Sequence, residues 1–167
     1  MFEHLAVHKK IVVTGPQRSG TRIAAKMIAA DTGHAFVDEM EFAIRDLAAF
    51  RAVLQRDDVV VQAPHMLKDV VDDPPPGIFV VLMRRDLEQI HASEKRIRWG
   101  EVYGKREIEL AKFALTQGDP ATVKYAYWSS HEKKVPFLEL EYEALRRHRL
   151  WVPEEQRKGF GALQTEP

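Results

Sequence analysis

The stretch from Ile11 to Ile28, IVVTGPQRSGTRIAAKMI, constrains the fold more than any other part of the chain. Ile11, Val12 and Val13 are β-branched with no polar interruption, the pattern of a strand buried on both faces. From Gly20 onward the period turns helical: Ile23 and Met27 lie four apart, as do Ala24 and Ile28. Gly15 and Gly20 bracket the turn, where a side chain would obstruct a ligand's close approach. A loop that enters a helix this way gathers backbone N–H groups and the positive end of the helix dipole at one point. That point is an anion site, suited to phosphate. Arg18, Arg22 and Lys26 add positive charge around it.

The rest of the chain alternates in kind. Ala35–Val37, 58–62, 78–83 and 136–140 read as further strands. Helical spacing covers 41–54, 86–99, 105–117 and 119–133, the last opened by the Asp119-Pro120 pair that suits an N-cap and first turn. Three prolines at 74–76 force a loop. Alternating strands and helices imply an α/β fold: a three-layer, P-loop-type domain, with a parallel sheet of about five strands and helices on both faces. With 167 residues the chain fits one domain, 1–167, of which about 150–167 reads as a C-terminal tail.

Charge and cysteine content narrow the function. Basic and acidic residues balance at 25 each, which disfavours a nucleic-acid partner. The absence of cysteine excludes disulfides, thiolate metal sites and thiol nucleophiles. No apolar run reaches the roughly 18 residues of a membrane span, and residues 1–10 lack the layout of a signal peptide. The expectation is a cytoplasmic protein with no membrane contact.

The glycine spacing, Gly15-x4-Gly20, is that of an NTP-binding P-loop, but Thr21-Arg22 follows where such loops carry Lys-Ser/Thr. Arg18 instead sits two positions before the second glycine. The sequence Gly15-Pro16-Gln17-Arg18-Ser19-Gly20-Thr21-Arg22 resembles the 5′-phosphosulfate loop of the sulfotransferase superfamily, whose donor is 3′-phosphoadenosine 5′-phosphosulfate (PAPS). Arg85 after the fourth strand and Ser93 eight positions on match the spacing of that family's 3′-phosphate clamp, although Leu87 stands where the family has proline. The run from Leu138 to Leu145 is similar to the family's strand followed by Tyr-Glu-Asp-Leu, and Arg157-Lys158-Gly159 to its Arg-Lys-Gly closure over the 3′-phosphate.

The resemblance implies sulfuryl transfer from PAPS to a hydroxyl or amine of a small-molecule or glycan acceptor, with no metal. Arg18 would stabilise the leaving oxygen, and the base would be Glu39, Glu41 or His65, which follow the second and third strands. Two alternatives remain open on the residues alone. One is a kinase of a small molecule or modified nucleobase, using ATP and Mg²⁺, with a loop hydroxyl such as Thr21 on the metal. The other is a nucleotide-binding module without turnover.

Overall fold

The computed structural model describes residues 1–42, 46–98 and 105–157. Its centre is a five-stranded sheet of β1 (Lys10–Thr14), β2 (Ala35–Val37), β3 (Val59–Gln62), β4 (Ile78–Arg84) and β5 (Phe137–Glu141), in spatial order β2-β3-β1-β4-β5. All four pairings are parallel: Val12 registers with Val61 and Val80, Val37 with Val61, and Met83 with Leu140. The apolar runs of β1, β3 and β4 are buried on both sides, as continuous β-branched strands of a parallel sheet must be. The α/β expectation holds.

Among the described residues six α-helices connect the strands: α1 (Thr21–Thr32), α2 (Leu47–Val53), α3 (Leu67–Asp72), α4 (Leu87–Arg96), α5 (Lys105–Ala111) and α6 (Pro120–Ser130). The aspartates preceding α2, α4 and α6 accept from backbone N–H groups one turn on, Asp46 from Ala49, Asp86 from Gln89 and Asp119 from Thr122. One face of the sheet packs Ile11, Val13, Val81 and Met83 against Ile23, Met27 and Ile28 of α1, with Leu5, Tyr142 and Leu145 from the chain's two ends. The other packs Val12, Val61, Val80 and Leu82 against Phe50 of α2, Leu67 and Val70 of α3, and Trp128 of α6.

Helices differ from expectation in three places, and the first is that the 105–117 helix ends at Ala111. Of the 41–54 helix, Glu41 belongs to a 3-10 turn, Glu39–Glu41, residues 43–45 lie outside the described residues, and α2 starts at Leu47, capped by Asp46. A 3-10 turn at Pro64–Met66 leading into α3 was not expected at all.

The connections set the site. β1 hands the chain to α1 on one face, while β3 hands it to α3 on the other. Parallel strands whose connections diverge in this way open a crevice at their carboxyl ends, where ligands of such sheets bind.

Candidate active site

The loop from Thr14 to Gly20 lies at the carboxyl end of β1. Gly15, Arg18 and Gly20 all have positive φ, 139°, 65° and 96°. The two glycines are required by packing. A Cβ on Gly15 would stand 2.9 Å from the Met83 carbonyl oxygen, and one on Gly20 would stand 2.5 Å from the Tyr142 ring. The expectation had assigned them to a ligand's approach; here strand β4 and Tyr142 already occupy that space. Ser19 is buried and ties the turn by donating from Oγ to the Pro16 carbonyl at 2.7 Å.

Arg18 is braced from two sides. Its Nε donates to Ser93 Oγ at 3.0 Å, and its carbonyl accepts from Arg85 Nη1 at 2.9 Å. The Arg85 guanidinium also lies 4.0 Å from the Tyr142 ring centroid, the ring that meets Gly20. Tyr125 fixes the backbone at the end of β4, accepting from the Arg85 N–H at 2.9 Å. Burial pushes that phenol up to about 12. Arg18, Arg85 and Ser93, distant in sequence, are therefore brought together.

Thr21 and Arg22 open α1 but turn to the β2 side. Thr21 Oγ1 accepts from Gln62 Nε2 at 3.2 Å. Arg22 pairs with both carboxylate oxygens of Asp38, at 2.7 and 2.9 Å. Asp38 in turn caps the 3-10 turn in which Glu41 Oε1 accepts from the Asp38 N–H. Glu41 is thus held in a cap at the surface, apart from the other two base candidates.

Those two do meet. His65 Nε2 lies 3.5 Å from Glu39 Oε2. The imidazole is 3% exposed, and its Nδ1 contacts Glu109 Oε1 from α5. Lys124 of α6, also buried, pairs with the other Glu109 oxygen and donates to Gln17 Oε1 at 2.7 Å and to the Pro64 carbonyl at 3.0 Å. The Gln17 Nε2 amide reaches back to the imidazole, 3.1 and 3.3 Å from its two nitrogens. Burial alone would raise the Glu109 carboxyl. The Lys124 charge and the His65 contact outweigh it and hold the group down to about 2. Burial draws Lys124 below its ordinary value, opposed by Glu109.

Gln17, Glu39, His65, Glu109 and Lys124 thus form one buried polar network under the loop. Sequence reasoning missed Glu109 and Lys124. Glu109 is one of several charges on α5 and Lys124 the single charge on α6, and nothing in the neighbours of either marks it as buried. Arg157 packs against the far side of Tyr142, donating to its hydroxyl at 3.2 Å, with its guanidinium 4.7 Å from the Trp151 ring centroid. Lys158 and Gly159 lie outside the described residues. Beside the loop a cavity of about 340 Å³ is lined by Arg85, Tyr142, Arg146, Trp151, Pro153 and Glu155.

No family model and no curated protein matches the chain. Solved structures of similar fold include an unliganded sugar kinase from Janibacter sp., at 14% identity over 81% of this chain and 86% of that one, TM-score 0.46. A gluconokinase from Sinorhizobium meliloti is 17% identical over 81% and 83%, TM-score 0.47. A shikimate kinase from Acinetobacter baumannii, in complex with shikimate, is 14% identical over 77% and 96%, TM-score 0.43. At these identities the likeness concerns fold alone.

These findings correct the expectation of a PAPS-dependent sulfotransferase: the similar folds are small-molecule kinases, and no family match links the chain to sulfotransferases. The geometry offers a physical counterpart. Arg85 and Ser93, matched by spacing to a 3′-phosphate clamp, both hydrogen-bond to Arg18. Among the described residues no helix is long and apolar enough to cross a membrane.

Proposed function

We infer that this chain is a nucleotide-dependent kinase, which transfers the terminal phosphoryl group of a nucleoside triphosphate such as ATP to a hydroxyl of a small molecule. One observation carries the reading: a glycine-bounded loop that enters a helix and a carboxylate–imidazole pair share the carboxyl edge of one parallel sheet. Phosphoryl transfer needs those two things, a cradle for the phosphates and a group to take the acceptor's proton.

The residues divide the work as follows. The N–H groups at the start of α1 and the Gly15–Gly20 turn would hold the phosphates. Arg18, held in an αL turn, would offer fixed positive charge where a P-loop lysine is missing. The cavity lined by Tyr142, Trp151 and Pro153 together with the charged Arg85, Arg146 and Glu155 would have room for a nucleobase against its aromatic faces. Glu39, at the end of β2 and less buried than His65, would accept the hydroxyl proton as the acceptor oxygen attacks the γ-phosphorus. The bond to the bridging oxygen breaks, and its electron pair leaves on the nucleoside diphosphate.

A kinase brings Mg²⁺ with its nucleotide. Among the described residues no three His, Cys, Asp or Glu side chains gather as a metal site. That fits this ion, which draws most of its ligands from phosphate oxygens and waters. Thr21, with a second lone pair beyond its bond from Gln62, is the protein group that would join them. The ion would supply neutralisation of charge on the β- and γ-phosphates.

Thermal shift and calorimetry with ATP, with and without Mg²⁺, followed by an acceptor screen for ADP release, test the reading. ATP at about 100 times its dissociation constant stabilises a protein by roughly 2.7 kcal/mol. No stabilisation and no heat from ATP in either condition would overturn it.

A further inference from the structure

The buried network has a direction built into it. Glu109 is held ionised, so its contact with His65 Nδ1 requires that nitrogen to carry the proton. The neutral ring is therefore the Nδ1–H tautomer, with the lone pair on Nε2. Two groups face that lone pair. The Gln17 amide nitrogen lies 3.1 Å from Nδ1 and 3.3 Å from Nε2, and with the proton on Nδ1 it can donate to Nε2 alone. Glu39 Oε2, 3.5 Å away, accepts from it when the ring is protonated. Glu39 is itself positioned by Gln62, whose Oε1 accepts from the Glu39 N–H at 3.4 Å while its Nε2 holds Thr21. The charged groups around the imidazole are Glu39 after β2, Glu109 on α5, Lys112 just past α5 at the His65 carbonyl, and Lys124 on α6 bound to Glu109.

We propose that Glu39, His65 and Glu109 form a proton relay under the phosphate loop, in which Glu39 takes the acceptor's proton and passes it to His65 Nε2. Glu109 and Lys124 are positioning residues for the ring. The relay rests on the kinase reading. As the acceptor oxygen bonds to phosphorus, its proton moves to Glu39 and then to the imidazole, giving an imidazolium between two carboxylates. The Gln17 amide must give up its acceptor at that moment. Because Gln17 belongs to the loop, the proton's arrival is coupled to the phosphate cradle.

The test is ¹⁵N-resolved imidazole spectroscopy on the full chain across pH, for the wild type and Glu39→Gln. The relay predicts a neutral His65 protonated on Nδ1. It also predicts that Glu39→Gln alters the Nε2 signal, because the carboxylate facing that nitrogen has lost its charge. A neutral ring protonated on Nε2, or an Nε2 signal indifferent to Glu39→Gln, overturns the relay. The tautomer is read on the wild type and does not depend on the variant's folding. Absence of ATP binding in the same preparation overturns the kinase reading instead, so the two failures are distinguishable.

Discussion

Lys124 on α6 and Glu109 on α5 form an ion pair with both side chains withdrawn from solvent, 1% and 0% exposed, one hydrogen bond from the Gly15–Gly20 loop at Gln17. Taking two charges out of water is costly, and this pair lowers the cost by sharing its remaining bonds with Gln17, Pro64 and His65. The pair ties the loop to the His65 imidazole.

Breaking the pair from either side leaves a lone buried charge. Lys124→Met or Glu109→Gln alone should lower unfolding stability by about 3–5 kcal/mol in urea titrations. The double variant Lys124→Met/Glu109→Gln should lose clearly less than the sum, because no charge is then stranded. Additive losses would mean that the two groups do not see each other.

Stability should also fall in acid through Glu109. Its folded carboxyl is depressed to about 2 from 4.5, so the unfolded chain takes up the proton first as pH drops. The stabilisation, up to about 3 kcal/mol, is complete above about pH 4.5 and is lost as pH falls toward about 2. Other paired carboxylates, such as Asp31 and Asp72, change in the same sense. The difference in melting temperature between wild type and Glu109→Gln, followed from neutral pH downward, isolates this group and should shrink through that window.

Gly20 is held by the Tyr142 ring as well as by its backbone. Gly20→Ala places a methyl 2.5 Å from Tyr142 Cδ2 at a φ of 96°. We expect a loss of about 1–3 kcal/mol in stability and a larger relative loss of nucleotide affinity, since the start of α1 must shift. Unchanged ATP affinity in calorimetry would show that the first turn of α1 is not where phosphate binds.

Arg85 acts through stacking and a fork-shaped donor set, contacting Tyr142 and the Arg18 carbonyl at once. Arg85→Ala should weaken ATP binding about tenfold or more. Arg85→Lys should not restore it, because an ammonium offers neither the planar stack nor the paired donors. Full rescue by lysine would mean that only the charge matters.

The loop was legible in the sequence because every residue that makes it is local: a β-branched strand, two glycines and an amphipathic helix within 11–28. The parallel sheet followed from alternation of the same kind. α3 was not, since Leu67–Asp72 spans six residues, too few for a helical period to stand out. The network was hidden for a different reason. His65 meets Glu109 across 44 positions, and Gln17 meets Lys124 across 107, so only the folded chain shows that they converge. The sulfotransferase resemblance rested on short motifs, and Arg85 and Ser93 show how a correct spacing can serve another purpose: both bind Arg18 and brace the loop.

The central claim is that this loop holds the phosphates of a nucleoside triphosphate. Isothermal calorimetry of the wild type with ATP and Mg²⁺, set beside ADP, adenosine 3′,5′-bisphosphate and the Gly20→Ala variant, tests it most directly. The account predicts one ATP per chain, tighter with Mg²⁺ than without, no preference for the 3′-phosphate, and loss of binding in Gly20→Ala. Tight binding of adenosine 3′,5′-bisphosphate with none of ATP would contradict it.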